Sequence, residues 1–441
     1  MNHTPAIFQR CPRDYLRAGL VAAVCTLLVA SSDAPAEDWP QWLGPRRDGV
    51  WRETGILLTF PAAGLKIRWR ARVGPGYSGP VVSEARVFVT DRQPSPEERE
   101  RVLCFAEETG QPLWSYAYPC SYRGIGYRSG PRAAPTVHQG KVYALGATGH
   151  LCCLEAATGK VIWKKDLARE YAAKPPRWGM SAAPLVEGDL LIVCAGGEPD
   201  ACILAFDKNT GAERWKALAD RPTYSAPIAI TFAERRQVIV WTGDAVNSLD
   251  PRNGKSYWRI PYRLRGGAPI AVATPVVCDD LLLVISFESG AKLLRLERTK
   301  PAAAIIWETK TAPTSLMGTP LFRDGHFYVA DNYGEFQCTE AASGRLIWTT
   351  RKPTGETKWG ETVHLTPHGD RVFLFNDRGQ LILGKLAREG YREISRVSLI
   401  EPTIGAKEER AVAWAHPAYA NKHVLVRNDK ELLRASLAAE P

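Results

Sequence analysis

The sequence predicts an all-β protein: an eight-bladed β-propeller of four-stranded blades, closed by an N-terminal outer strand that completes the C-terminal blade. Three observations carry this. A Gly–Trp pair with four-residue spacing recurs at Gly110/Trp114, Gly159/Trp163, Gly211/Trp215, Gly254/Trp258 and Gly344/Trp348, while Trp307 keeps the column without the Gly and Trp69 follows Gly64 by five. Successive tryptophans of this column (69, 114, 163, 215, 258, 307, 348) lie 41 to 52 residues apart, the period of a four-stranded propeller blade. Each unit opens on a small residue followed by Pro: Gly79-Pro80, Ala134-Pro135, Ala183-Pro184, Ala226-Pro227, Thr274-Pro275 and Thr319-Pro320. Proline suits the first residue of a strand, and the Asx/Thr-Gly steps suit hairpin turns.

Composition agrees with this class. The chain has 441 residues, 45% of them hydrophobic and 24% charged, which excludes a polytopic membrane protein and a mostly disordered chain. The formal net charge of +10 favours anionic partners in general without identifying one.

Taken in order, residues 1–36 read as a signal peptide. Arg10, Arg13 and Arg17 precede an apolar stretch from Ala18 to Ala30, and Ala34-Pro35-Ala36 gives a small-x-small cleavage site. Cleavage is expected before Glu37. Val24 is bulky before Cys25, so lipid attachment is not expected, and the apolar stretch is short for a bilayer span. The mature chain is therefore expected to be exported, to the periplasm or beyond, without a transmembrane span.

Residues 37–63 form an N-terminal extension packing on the propeller, residues 64–437 the propeller, and 438–441 a tail. Blades are expected at 78–114, 133–163, 182–215, 225–258, 273–307, 318–348 and, more weakly, 362–396, where Tyr391 stands near the Trp slot. The eighth begins at His416-Pro417, runs through Leu432-Leu433, and ends before any outer strand. Leu65 to Arg72, carrying Trp69, is an outer strand without a blade. Pairing the two leaves no sheet edge open.

This blade grammar resembles the quinoprotein-like (PQQ-repeat) propellers over nearly all of the mature chain. The opening Asp38-Trp39-Pro40-Gln41-Trp42-Leu43-Gly44-Pro45-Arg46-Arg47-Asp48-Gly49 and the later Gly76-Tyr77-Ser78-Gly79-Pro80 look like the exported PQQ-binding-like propeller proteins of planctomycete-type bacteria. The leading expectation is an exported, noncatalytic module that binds a ligand or protein through its central funnel mouth. The alternatives that the resemblance admits are a quinone-dependent alcohol dehydrogenase and an outer-membrane assembly scaffold, the last disfavoured by the missing lipid-attachment signal. It implies, for the dehydrogenase, a quinone over a Trp in the funnel, a Ca²⁺ held by Glu and Asn beside a catalytic Asp, and often a vicinal disulfide.

The residues do not assemble that set. Asp331-Asn332 and Asn376-Asp377 fall in turns where Asx is expected for backbone reasons. Cys152-Cys153 resembles the vicinal pair, yet Cys153 shares its blade position with Cys104, Cys338, Ala205 and Ser248, a small buried slot that cysteine commonly fills. Cys120, Cys194, Cys202 and Cys278 show no metal spacing, and the sequence contains no Cys-x-x-Cys-His, Gly-x-Ser-x-Gly or phosphate-loop motif. No catalytic residue, metal site or cofactor is assigned; PQQ and calcium belong only to the dehydrogenase alternative. The basic residues are dispersed, so nucleic acid is not expected as a partner.

Propeller geometry places the candidate site at the funnel mouth, in the loops leading into each first strand. Those loops supply Tyr77, Arg128, Arg132, Arg177, Trp178, Tyr224, Arg265, Trp359, Glu361, Trp414 and His416. Basic and aromatic groups on one concavity suit an anionic, planar or carbohydrate-like ligand, or a protein partner, taken up by a monomer. Trp178-Gly179 and Trp359-Gly360 stand in equivalent loops of blades three and seven, which lie opposite in an eight-membered ring. They are expected to form facing walls of one pocket.

Overall fold

Each repeat folds into one antiparallel sheet whose four strands follow in chain order. The computed structural model describes residues 37–127, 129–265, 269–310, 312–355, 360–404 and 411–439. Among these, eight four-stranded sheets and one two-stranded sheet account for the strands, and the only helix is the short Leu167–Tyr171. Blades 1 to 7 span residues 81–119, 136–166, 185–217, 228–261, 276–308, 321–350 and 363–398. Blade 8 takes three strands from residues 418–436 and its outer strand, Ile67–Arg72, from the N-terminal side. Trp69 lies opposite Arg434 and Ala71 opposite Leu432, so the ring closes.

Burial follows strand rank within the blade. The second and third strands are almost fully buried, as in Leu190–Gly197 and Ala201–Asp207. Outer strands alternate: in Val161–Asp166 Trp163 is buried, while its neighbours Ile162 and Lys164 are exposed. That is the two-residue period of a sheet wet on one face. First strands are only about three residues long in most blades and approach their neighbours around the axis.

The recurring Trp has a consistent seat. Within its own blade it stands opposite the small slot on strand three: Cys104↔Trp114, Cys153↔Trp163, Ala205↔Trp215, Ser248↔Trp258 and Cys338↔Trp348. Its indole N–H reaches the next blade. Trp114 donates to Ala156 O (3.0 Å), Trp163 to Lys208 O (3.1 Å), Trp215 to Pro251 O (2.7 Å), and Trp69 to Glu107 O of blade 1 (2.7 Å).

The glycine four residues before each Trp serves the preceding blade. A Cβ on Gly159 would lie 2.6 Å from Trp114, one on Gly211 2.7 Å from Trp163, and one on Gly110 2.5 Å from Trp69. These glycines also hold φ near +70°, a region costly for other residues. Blade 5 lacks this glycine, and the Trp that should rest on it, Trp258 of blade 4, turns its N–H to Gln237 Oε1 in its own blade (3.2 Å).

The N-terminal segment runs along the innermost strands. Trp39 exchanges backbone bonds with Val82 of blade 1, and Pro40 O accepts from Val137 N of blade 2 (2.8 Å). Arg47 donates to the carbonyls of Ala183 and Pro184 in blade 3 and Pro227 in blade 4. Trp42 donates to Thr274 Oγ1 in blade 5 (2.8 Å). Trp51 then packs against His368, Phe373 and Tyr419 of blades 7 and 8. Residues 39–51 thereby touch most of the ring from inside it.

Candidate functional site

The small residue before each opening proline faces the axis. Ala134, Ala183, Ala226 and Thr274 line a cavity of about 170 Å³, and their small size leaves that space open. The eighth member of this column is His416, which is large. Gly79 of the adjoining blade accommodates it: a Cβ there would stand 2.4 Å from His416 Cε1. His416 is 7% exposed and its Nε2 has no hydrogen-bond partner.

Loops leading into the first strands contribute a continuous arc of rings. Tyr77 lies 5.9 Å from Trp414, Trp414 5.6 Å from Tyr127, Tyr127 6.0 Å from Trp178, and Trp178 5.3 Å from Tyr224. These separations are those of offset and edge-to-face aromatic pairs. Trp414 is fixed by its N–H to Gly360 O (3.1 Å) and by His364 Nε2 at its own carbonyl (3.1 Å). Trp42 closes the inner end, its ring edge-on to His416 at 4.6 Å. Leu316 and Met317 complete the apolar lining.

Arg132 is the cation of the cup. Its guanidinium donates to Gly130 O (2.6 Å), Gly126 O (2.7 Å) and Tyr127 O, and stands 5.1 Å from the Tyr77 ring. Burial lowers its pKa from the usual arginine value. Burial, then the neighbouring His364, push His416 down to about 3, and burial lowers His364 as well. Both imidazoles are neutral at pH 7. No carboxylate lines the cavity among the described residues.

Six residues expected at the mouth meet there: Tyr77, Arg132, Trp178, Tyr224, Trp414 and His416. Three others do not. Arg177 is exposed, its guanidinium 5.9 Å from the ring of Trp178. Arg265 is exposed outside the cavity, its backbone N–H bonded to Ser289 Oγ (3.0 Å). Glu361 is buried between blades 6 and 7 and paired with Arg378 at 3.2 Å, so it turns away from the cup. Arg128 and Trp359 lie outside the described residues, and with Trp359 the expected facing Trp–Gly walls. Sequence reasoning missed Trp42 and His364. Trp42 belongs to no repeat register; its one signal was an aromatic segment preceding a ring that closes without it.

The alternatives for metal and disulfide also find their places. Asp331 Oδ1 accepts from the backbone N–H of Tyr333 and Glu335 (both 2.8 Å), and Asn376 Oδ1 from those of Arg378 and Gln380. These are Asx-type turn contacts. Cys152 and Cys153 are buried and unpaired, and burial pushes the Cys153 thiol up to about 12.

Fold, period and cup define an eight-bladed propeller of the PQQ-repeat class. More narrowly, the chain belongs to the family described as outer membrane protein assembly factor BamB, whose model matches residues 98–350 and 295–408. The outer membrane protein assembly factor BamB of Shewanella oneidensis is 23% identical over 371 residues, covering 80% of this chain and 84% of that protein. The quinoprotein alcohol dehydrogenase PedH of Pseudomonas putida is 24% identical over 159 residues, 34% of this chain and 25% of that one. In fold alone, a europium-containing methanol dehydrogenase superposes with a TM-score of 0.64 at 13% identity, over 88% of this chain and 89% of that structure.

Proposed function

We propose that this protein is an exported, noncatalytic propeller that acts in outer-membrane protein assembly as a protein-binding scaffold. The observation that carries this is the extent of its sequence likeness: the assembly factor of Shewanella oneidensis matches over 80% of this chain and 84% of its own, against 62% and 51% for the 1-butanol dehydrogenase of Thauera butanivorans and 34% and 25% for PedH. Export follows on this reading from cleavage after Ala36, with Glu37 as the first residue of the mature chain.

The donor set supports the same side. A quinone–Ca²⁺ site needs several converging oxygen ligands. The cup offers hydroxyls, imidazoles and one guanidinium, and Glu361 is engaged with Arg378 outside it. Among the described residues no three His, Cys, Asp or Glu side chains cluster as a metal site. These residues do not fit the pair.

In-cell crosslinking of the tagged full chain, followed by identification of the captured proteins, tests the scaffold role. Enrichment of outer-membrane assembly components is expected. Their absence, together with bound-cofactor absorbance and alcohol-dependent dye reduction after reconstitution with quinone and Ca²⁺, would replace this reading with the dehydrogenase.

A further inference from the structure

The cup is more specialised than a scaffold requires. Five rings on separate loops form its wall, yet its volume of about 170 Å³ is modest. An apolar cavity of roughly 150 Å³ accepts benzene, so one or two fused rings are the scale of guest this space admits.

Charge selects among guests of that size. Aromatic cages commonly hold quaternary ammonium groups. Here Arg132 stands in the wall, bonded to three loop carbonyls and to no carboxylate among the described residues, which penalises a cation. Sugars need many hydrogen bonds, and the lining has few to spare. Ser181 Oγ donates to Tyr224 O (3.4 Å), and Thr274 Oγ1 is taken by Trp42. Unmet need remains at two buried atoms of the lining, Tyr77 Oη and His416 Nε2. The Pro417 carbonyl 3.2 Å from Nδ1 places the proton there, which leaves buried Nε2 as an acceptor without a donor. A ring hydroxyl would supply that donor.

We infer that the funnel cup binds a one- or two-ring hydroxyaryl carboxylate. Its rings lie within the aromatic arc, its carboxylate faces Arg132, and its hydroxyl faces His416 Nε2. Trp42 sets the depth of the cup and therefore the ring count. The site is read independently of the scaffold role, which is judged by captured proteins, so either can fail alone.

Calorimetric titration of the purified chain with 6-hydroxy-2-naphthoate, 2-naphthoate, 2-naphthylmethylammonium and glucuronate tests the proposal. The hydroxy acid should bind at least about tenfold more tightly than the ammonium, the charge preference expected of a half-buried guanidinium bonded only to neutral carbonyls. Glucuronate should not bind at about 1 mM. Trp178→Ala should weaken the hydroxy acid about tenfold. Trp42→Ala should shift preference to a three-ring acid, checked alongside near-UV circular dichroism for an intact fold. Equal or tighter binding of the ammonium, or of glucuronate, overturns the proposal. So does failure of every naphthyl probe to bind the folded wild-type chain.

Discussion

The rim and the axis of this propeller are built on opposite plans. At the rim one arrangement repeats: an indole donates to the next blade's carbonyl and rests on that blade's glycine, from Trp69 on Gly110 to Trp163 on Gly211. At the axis nothing repeats. Equivalent loops supply Tyr77, Arg132, Trp178, Tyr224 and Trp414, a small-residue column ends in His416, and a segment outside the repeats inserts Trp42 and Arg47. The difference separates what every blade must do, which is hold its neighbour, from what only this protein's centre does.

Breaking the rim should have the largest effect. Gly159→Val combines a φ of +73° with a Cβ 2.6 Å from Trp114, and should cost about 3–4 kcal/mol in a denaturant titration. Breaking the axis comes next. Arg47→Ala leaves the carbonyls of Ala183, Pro184 and Pro227 without a charged donor, and burial already holds that guanidinium down to about 10. A loss of about 2–3 kcal/mol is expected by the same titration.

The odd seam sharpens the contrast at smaller scale. Trp163→Phe removes the donor to Lys208 O across a blade boundary and should cost about 1–2 kcal/mol. Trp258→Phe should cost about 0.5 kcal/mol, because Gln237 Oε1 still accepts from Ser248 Oγ (2.7 Å).

Acid should act on the axis progressively, across a pH window. His416 titrates near 3 when folded and near 6.5 when unfolded, so the unfolded chain binds more protons between those values. Its contribution is complete above pH 6.5 and is lost as pH falls toward 3. Thermal midpoints should decline over that window, and His416→Gln should flatten the decline.

The rim was legible because a period exposes it. Seven tryptophans in phase, with Tyr391 near the slot in blade 7, indicated blade number and closure, and the small slot shared by Cys104, Cys153, Ala205, Ser248 and Cys338 followed from the same register. The partner of each glycine was not legible. Sequence spacing suggests that Gly159 serves Trp163, four residues on, whereas it seats Trp114 of the preceding blade. The axis was legible only in part. Loops leading into first strands identified six lining residues, but proximity to the mouth does not fix direction: Glu361 found Arg378, and Arg177 lay beside Trp178 in solvent. Trp42 escaped because a segment outside the period carries no register to place it.

Ring closure through a neighbour's glycine is tested most directly by a double-mutant cycle on Trp69 and Gly110. These residues come from blades 8 and 1 and meet only if the first outer strand completes the last sheet. Gly110→Ala should be less damaging in the Trp69→Ala background than alone, a coupling of about 1 kcal/mol or more, with no coupling between Gly110→Ala and Trp114→Ala. Coupling to Trp114 instead of Trp69 would contradict the account.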